Sequence, residues 1–168
     1  MHFKFLTVFA IAFLLAACGT AKEESGAAMG GGETATPSTA TVPSPISGPL
    51  PGSQEHLVVN VGDRVFFDFD KSDLKAEARA TIEALAVWMN NYPAVTITIE
   101  GHADERGTRD YNLALGERRA NAVRDYLVAL GVDPNRLSTI SYGKERPAVL
   151  GSNEEAWAQN RRGVFAVN

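Results

Sequence analysis

Gly101 to Leu127 reads GHADERGTRDYNLALGERRANAVRDYL, and it follows a segment, Ala94 to Glu100, in which apolar and polar residues alternate. Strict alternation is typical of a half-buried β-strand, here with Val95, Ile97 and Ile99 on the inner face. After a charged loop, the apolar spacing predicts a helix from Thr108 or Asp110 to about Leu130, closed by Gly131. Its predicted inward residues are Tyr111, Leu115, Val123, Tyr126, Leu127 and Leu130.

The segments on either side of this strand–loop–helix unit continue the alternation of strands and helices. β-Rich runs predict strands at 57–61, 65–69, 137–141 and 163–167. Capping residues and apolar periodicity predict helices at about 74–90, with Ala78, Ile82, Leu85, Ala86 and Met89 inward, and at about 153–160. This order indicates an α/β (α+β) two-layer sandwich, with a mixed sheet of about four strands and the helices on one face.

Residues 1–17 have the pattern of a secretory signal, with Lys4 ahead of an apolar run of 13 residues that is short for a membrane span. The run ends in LAAC, which resembles the cleavage motif of bacterial lipoproteins. That resemblance implies lipid on Cys18, the only cysteine of the chain. Two or more acyl chains give stable anchoring in a membrane. In lipoproteins of this kind an aspartate after the cysteine is associated with retention in the inner membrane, so Gly19 at this position favours the outer membrane.

Residues 18–52 form a predicted disordered tether, because Gly, Pro, Ser, Thr and Ala dominate and no aromatic residue occurs. A coil of this length spans about 30 Å on average. Residues 53–168 are then one domain by length. The chain has 16 basic and 20 acidic residues, and loss of Lys4 with the signal leaves a net charge of −5. This acidic balance argues against a nucleic-acid partner.

The ionisable cluster between Glu100 and Thr108 could serve a metal, a reaction or a charged ligand. His102 and scattered carboxylates fall short of the three or four supported ligands of a zinc site. The serines and threonines nearby have no identifiable histidine base, and the adjacent Asp104 and Glu105 point in different directions. We therefore expect no metal, no cofactor and no enzymatic activity.

One face of the predicted helix offers an amide, a glycine and a guanidinium. Asn112 and Arg119 are seven residues apart, which places them within about 20° of each other on a helix. Gly116 lies between them. A glycine inside a helix lowers helix stability by about 1 kcal/mol relative to alanine, so its presence suggests that another group approaches the helix backbone closely at this position. With Asp104 from the loop, Arg119 matches a ligand carrying both an ammonium and a carboxylate. A structural ion pair beside a solvated face fits the same spacing, and the residues alone leave both interpretations open.

The opening segment closely resembles the peptidoglycan-associated lipoproteins, a family within the OmpA C-terminal-like domains. The resemblance covers residues 57–168 and includes VFFDFD at 65–70, SYGKERPAVLG at 141–151, EEAW at 154–157 and NRR at 160–162. It implies non-covalent binding of peptidoglycan at meso-diaminopimelate, and so a tether between outer membrane and cell wall. It also implies TolB and other Tol proteins as partners in envelope integrity and cell division.

The resemblance assigns the diaminopimelate site to Asp104, Arg119 and Asn112, with backbone contacts from the Phe69–Asp70 turn. Variants that lack the charge of Asp104 or Arg119 are then expected to lose binding and to keep their fold. The rival interpretations are an OmpA-like lipoprotein without a Tol partner and a periplasmic hydrolase of the cell wall.

Other charged residues have secondary roles in this interpretation. His102 is expected to fix the loop through hydrogen bonds of its side chain. Glu105 and Arg106 are expected to stabilise the loop or to meet a protein partner. Arg161 or Arg162 would border the pocket, and Arg118 would belong to the surface.

Overall fold

A computed structural model describes residues 48–168. The predicted signal sequence, Cys18 and residues 18–47 of the predicted tether lie outside the described residues. Within 48–168, no helix has both the length and the apolar character needed to cross a membrane.

Strands and helices alternate along the described chain after one initial helix. The helices are α1 (Gln54–Asn60), α2 (Ala76–Asn91), α3 (Arg109–Ala129) and α4 (Glu154–Asn160), with a 3-10 turn at Pro134–Arg136. The strands are β1 (Arg64–Phe66), β2 (Ile97–His102), β3 (Leu137–Gly143) and β4 (Arg162–Val167).

The four strands form one mixed sheet in the order β1-β4-β2-β3. β4 runs antiparallel to both β1 and β2, whereas β2 and β3 are parallel. The predicted mixed four-stranded sheet with packed helices is confirmed. Every residue of the predicted inner stripe of α2 is buried, and the stripe joins one apolar core with Ile97 and Ile99 of β2 and Phe165 of β4.

The predicted strand at 57–61 is wrong, because these residues belong to α1 and its C-terminal cap. Ser53 caps the helix by accepting a hydrogen bond from the main-chain N–H of His56 at 3.2 Å. Leu57 alone among the helix residues is buried. The Gln54 side chain bonds to two main-chain groups of β4, at 2.8 and 3.1 Å. These cap and tertiary contacts override the β propensity of the valines.

Smaller differences concern the ends of elements. β1 ends at Phe66 rather than at residue 69 because the chain turns at 68–71, where the Lys71 N–H donates to the Asp68 carbonyl. Tyr111 and Leu130, predicted to point inward, are 46% and 36% exposed. They occupy the two ends of α3, where Gly131 closes the helix at a φ of +94°.

Two glycines bring α3 directly against β2. A Cβ atom on Gly101 would lie 1.8 Å from the carbonyl oxygen of Gly116, and one on Gly116 would lie 2.7 Å from the carbonyl oxygen of Gly101. The close backbone approach predicted at Gly116 is confirmed, but Gly116 faces the sheet rather than a ligand. The contact fixes the N-terminal half of α3 beside the end of β2.

Candidate functional site

The candidate site lies where β2 leads into α3, opposite the turn at 68–71. A cavity of about 170 Å³ is lined by all five residues that the sequence assigned to the site: Phe69, Asp70, Asp104, Asn112 and Arg119. Four further residues complete its lining: Arg106, Gly107, Tyr111 and Leu115. Residues distant in the sequence therefore meet around one small cavity.

Arg119 is fully buried and holds the walls of the cavity together. Its guanidinium donates to the carbonyl of Lys71 at 2.8 Å and to that of Asp68 at 3.0 Å. A third hydrogen bond reaches the carbonyl of His102 at 2.7 Å. One side chain thus connects the turn after β1 to the end of β2.

The positive charge of Arg119 has no direct counter-ion in residues 48–168, where no carboxylate lies within ion-pairing distance of it. Burial lowers the pKa of Arg119 to about 10, against the attraction of Asp104, so the guanidinium stays charged at neutral pH. Three of its five N–H groups are used by main-chain carbonyls, which leaves two for another acceptor. A buried cation with spare donors favours an incoming anion.

The turn that carries Phe69 and Asp70 has a strained backbone. Asp70 has a φ of +57°, the only positive φ of a non-glycine residue among residues 48–168. The Arg119 bonds flank it on both sides, and the Tyr111 hydroxyl donates to its carboxylate. Phe69, the residue before it, is 56% exposed and lines the cavity.

Asp104 is only 4% exposed, and its carboxylate accepts four hydrogen bonds. Arg106 supplies three of them, from its main-chain N–H at 3.1 Å, from Nε at 3.2 Å and from Nη2 at 2.6 Å. Arg161 supplies the fourth from Nη1 at 3.5 Å. Burial acts to raise the pKa of Asp104, but the hydrogen bonds from Arg106 and Arg161 and the charge of Arg106 outweigh it and hold the pKa below its ordinary value.

Arg106 covers the rim of the cavity. Its guanidinium carbon lies 3.9 Å from the ring centre of Phe69 and 4.1 Å from that of Trp157, a double cation–π contact. The Trp157 ring is itself held by a hydrogen bond to the Glu105 carboxylate at 3.0 Å. Of the two roles expected for Glu105 and Arg106, these contacts support stabilisation of the loop.

Asn112 and the two arginines near the C-terminus differ in what they contact. Asn112 is 2% exposed, lines the cavity and fixes the loop by donating to the Arg106 carbonyl at 2.8 Å. Arg161 reaches Asp104 from behind the cavity wall. Arg162 instead donates to the carbonyls of Asn160 and Arg146, so it does not border the site.

The expectation that the His102 side chain fixes the loop is wrong. The ring is buried, and neither of its nitrogens makes a hydrogen bond. It packs against Tyr142 with the ring centres 5.5 Å apart. Burial, with a contribution from the charge of Arg162, lowers its pKa to about 4. The histidine contributes to the site through its main-chain carbonyl, which Arg119 binds.

Tyr111, Leu115 and the position of Arg106 at the cavity were not predicted from the sequence. Tyr111, Leu115 and Arg119 are spaced four residues apart, which places them along one helix face. That spacing is the signal that could have identified the first two. The placement of Arg106 depends on Phe69 and Trp157, which are far from it in the sequence.

Comparisons with known proteins give one consistent result. The OmpA family model matches residues 66–161, more than half of the chain. A peptidoglycan-associated lipoprotein of Rhizobium meliloti is 60% identical over 114 residues, which are 68% of this chain and 65%, just under two thirds, of that protein. One of Agrobacterium fabrum is 46% identical over 158 residues, 92% of this chain and 81% of that protein.

Solved structures agree with the sequence comparisons. The crystal structure of the peptidoglycan-associated lipoprotein from Burkholderia pseudomallei matches with a TM-score of 0.62 and 42% identity, over 63% of this chain and 90% of that one. The C-terminal domain of Helicobacter pylori MotB matches with a TM-score of 0.59 and 26% identity, over 63% of this chain and 84% of that one.

Proposed function

The chain belongs to the peptidoglycan-associated lipoproteins of the OmpA family, and from this premise we propose that it is a non-enzymatic protein that binds peptidoglycan. The observation that carries the proposal is one cavity with two buried, oppositely charged side chains, Asp104 and Arg119, in its wall. Such a cavity suits a ligand that presents a cation and an anion close together.

The ligand we propose is the meso-diaminopimelate residue of the stem peptide, whose side-chain end carries an ammonium and a carboxylate on one carbon. The carboxylate would accept from the two spare N–H groups of Arg119, and the ammonium would donate to Asp104. Charge-assisted hydrogen bonds in a site removed from water are among the strongest polar contacts available to a protein. Asn112 and the Phe69–Asp70 turn shape the walls around these two groups.

The attachment at the other end would be lipid on Cys18, held in the outer membrane, with the domain in the periplasm. Residues 18–52 would then span the distance to the cell wall. The names of the relatives support a peptidoglycan-binding lipoprotein. A role with TolB and the other Tol proteins during cell division is a further part of the proposal.

Co-sedimentation of the purified protein with cell-wall sacculi tests the proposal. We expect the protein to sediment with sacculi that contain diaminopimelate, and free meso-diaminopimelate to compete. A wall hydrolase would instead release soluble muropeptides from the same sacculi. Muropeptide release, or sedimentation that free diaminopimelate does not reduce, would refute the proposed function.

The change Asp104→Asn is expected to weaken binding to sacculi by about 2 to 5 kcal/mol, because a neutral amide cannot pair with the ligand's ammonium. Asp125→Asn makes the same chemical change at an exposed position on the far half of α3, and it should bind as the unaltered protein does. Binding constants from co-sedimentation check both variants, with thermal melts to compare their folding. Equal binding by the two variants would show that Asp104 does not contact the ligand.

The change Cys18→Ala is expected to release the protein into the soluble periplasmic fraction, because the acyl chains that would anchor it have no attachment point. Cell fractionation followed by immunoblotting measures the shift. Co-sedimentation of this variant with sacculi should be unchanged. Continued membrane association of Cys18→Ala would contradict the lipid anchor.

A further inference from the structure

The carboxylate of Asp104 is already fully occupied by donors from the protein. A carboxylate accepts about four hydrogen bonds, and Asp104 accepts three from Arg106 and one from Arg161. An ammonium group can therefore bind Asp104 only if one of these donors leaves.

The donors differ in how firmly they are held. The Arg161 side chain is 8% exposed and is fixed by hydrogen bonds to a main-chain carbonyl at 3.1 Å and to Glu154 at 2.7 Å. The Arg106 side chain is 30% exposed. Apart from Asp104, its close contacts are the flat faces of Phe69 and Trp157, along which a guanidinium can slide. The donor free to leave is the side chain of Arg106.

A second acceptor lies within reach of that side chain. Nη1 of Arg106 is 3.8 Å from Oε2 of Glu154, whose side chain is 65% exposed. A small movement away from Asp104 would bring the guanidinium onto Glu154 while it stays between the two rings. The displaced charge would thus remain paired.

We propose that the guanidinium of Arg106 occupies the subsite of the ligand's ammonium and leaves it when the ligand binds, so that Arg106 limits the affinity of the site. This inference rests on the proposed function, since it concerns the same cavity. The exchange puts one cation in place of another, so the net charge around Asp104 is unchanged. Apparent affinity is the intrinsic affinity multiplied by the fraction of molecules in which Asp104 is open.

The consequence is unusual for a binding-site residue, because removing it should strengthen binding. If the open form is at most about one molecule in ten, Arg106→Gln should bind free meso-diaminopimelate about tenfold more tightly or better. Arg106→Lys keeps a competing cation and should bind more nearly as the unaltered protein does. Arg109→Gln removes the same charge from an exposed position of α3 and should leave the affinity unchanged.

Isothermal titration of the full chain with meso-diaminopimelate and with pimelate measures these differences. Pimelate has the same carbon skeleton and both carboxylates but no ammonium group, so Arg106→Gln should not gain affinity for it. Unaltered protein that binds meso-diaminopimelate, together with Arg106→Gln that binds it no more tightly, would overturn this inference and leave the proposed function standing. Unaltered protein that binds neither sacculi nor meso-diaminopimelate would overturn both.

A second measurement covers the case in which Arg106→Gln does not fold. In the unaltered protein, the Nε–H of Arg106 bonds to Asp104 and should give a protected side-chain NMR signal. Saturating meso-diaminopimelate should shift this signal and speed its exchange with water, whereas pimelate should not. A signal that saturating meso-diaminopimelate leaves unchanged would show that Arg106 stays on Asp104, contrary to the inference.

Discussion

Replacing Arg119 by alanine is expected to lower the free energy of unfolding by about 3 to 5 kcal/mol. The main-chain carbonyl of His102, which is buried, and those of Asp68 and Lys71, which are partly buried, would lose their donor. An unsatisfied buried group costs about 1 to 3 kcal/mol, and the two partly buried carbonyls add less. A cavity would also open where the side chain is now fully buried. Urea denaturation followed by circular dichroism measures the change.

Arg118→Ala is the matched control, because it removes the same side chain from the adjacent, exposed position of the same helix. A surface substitution of this kind should change the free energy of unfolding by no more than about 0.5 kcal/mol. Equal stability of Arg119→Ala and Arg118→Ala would mean that the Arg119 guanidinium does not hold the loop and the turn in solution.

This role changes how binding by Arg119 variants has to be interpreted. The sequence led us to expect that Arg119→Ala would lose binding and keep its fold. Because the guanidinium is buried, we now expect this variant to lose stability as well, so weaker binding alone would not show that Arg119 contacts the ligand. Arg119→Lys does not solve the problem, since a single ammonium cannot reproduce the planar fork that spans three carbonyls. Asp104→Asn keeps the size of the side chain, but the carboxylate that it replaces is also buried and accepts hydrogen bonds from Arg106 and Arg161 on both oxygens. Its binding therefore has to be interpreted together with its thermal melt.

Gly101→Ala is the second substitution with a large expected effect. Its Cβ would lie 1.8 Å from the carbonyl oxygen of Gly116. Neither atom can rotate away, because the oxygen is part of the backbone and the Cβ is bonded directly to it, so α3 would have to move away from β2. We expect a loss of about 3 kcal/mol or more in the free energy of unfolding. For a domain of this size, that corresponds to a melting temperature lower by more than about 10 °C.

A thermal melt by differential scanning calorimetry checks the effect, with Gly48→Ala as the control. A Cβ on Gly48 would meet nothing within 4 Å, so this variant should melt as the unaltered protein does. Because α3 carries Asn112 and Arg119, any folded Gly101→Ala protein should also bind sacculi more weakly. An unchanged melting temperature for Gly101→Ala would contradict the close contact between α3 and β2.

Local pattern predicted most of the fold because each element carries its own signal. The apolar stripe of α2, the alternation in β2 and the caps at Thr108 and Asn153 all act over a few residues, and each is present in the structure. The strand predicted at 57–61 was wrong because its β propensity is outweighed by the helix cap at Ser53 and by the hydrogen bonds of Gln54 to β4, about a hundred residues away. No local pattern contains those contacts.

In the candidate site, too, local sequence predicted some features, whereas others depend on contacts between distant residues. The helix spacing of Asn112 and Arg119 and the nearby Asp104 could be found in the sequence, and all three line the cavity. The carbonyls of the 68–71 turn that Arg119 bonds to, and the Phe69 and Trp157 rings that Arg106 packs against, could not, because only the folded chain brings them near. Sequence therefore indicated which side chains meet, whereas burial and bonding decide which of them are free to take a ligand.

The order of the strands also affects how the domain reaches its fold. β4 lies between β1 and β2, and its register joins Arg64 to Val164, so β1 has no neighbour to pair with until β4 has been synthesised. Contacts over such separations close slowly. A newly made chain should consequently stay extended longer than a helical bundle of equal length. If residues 1–17 act as the export signal that their pattern predicts, this delay would keep the chain in the form that a translocation channel can thread.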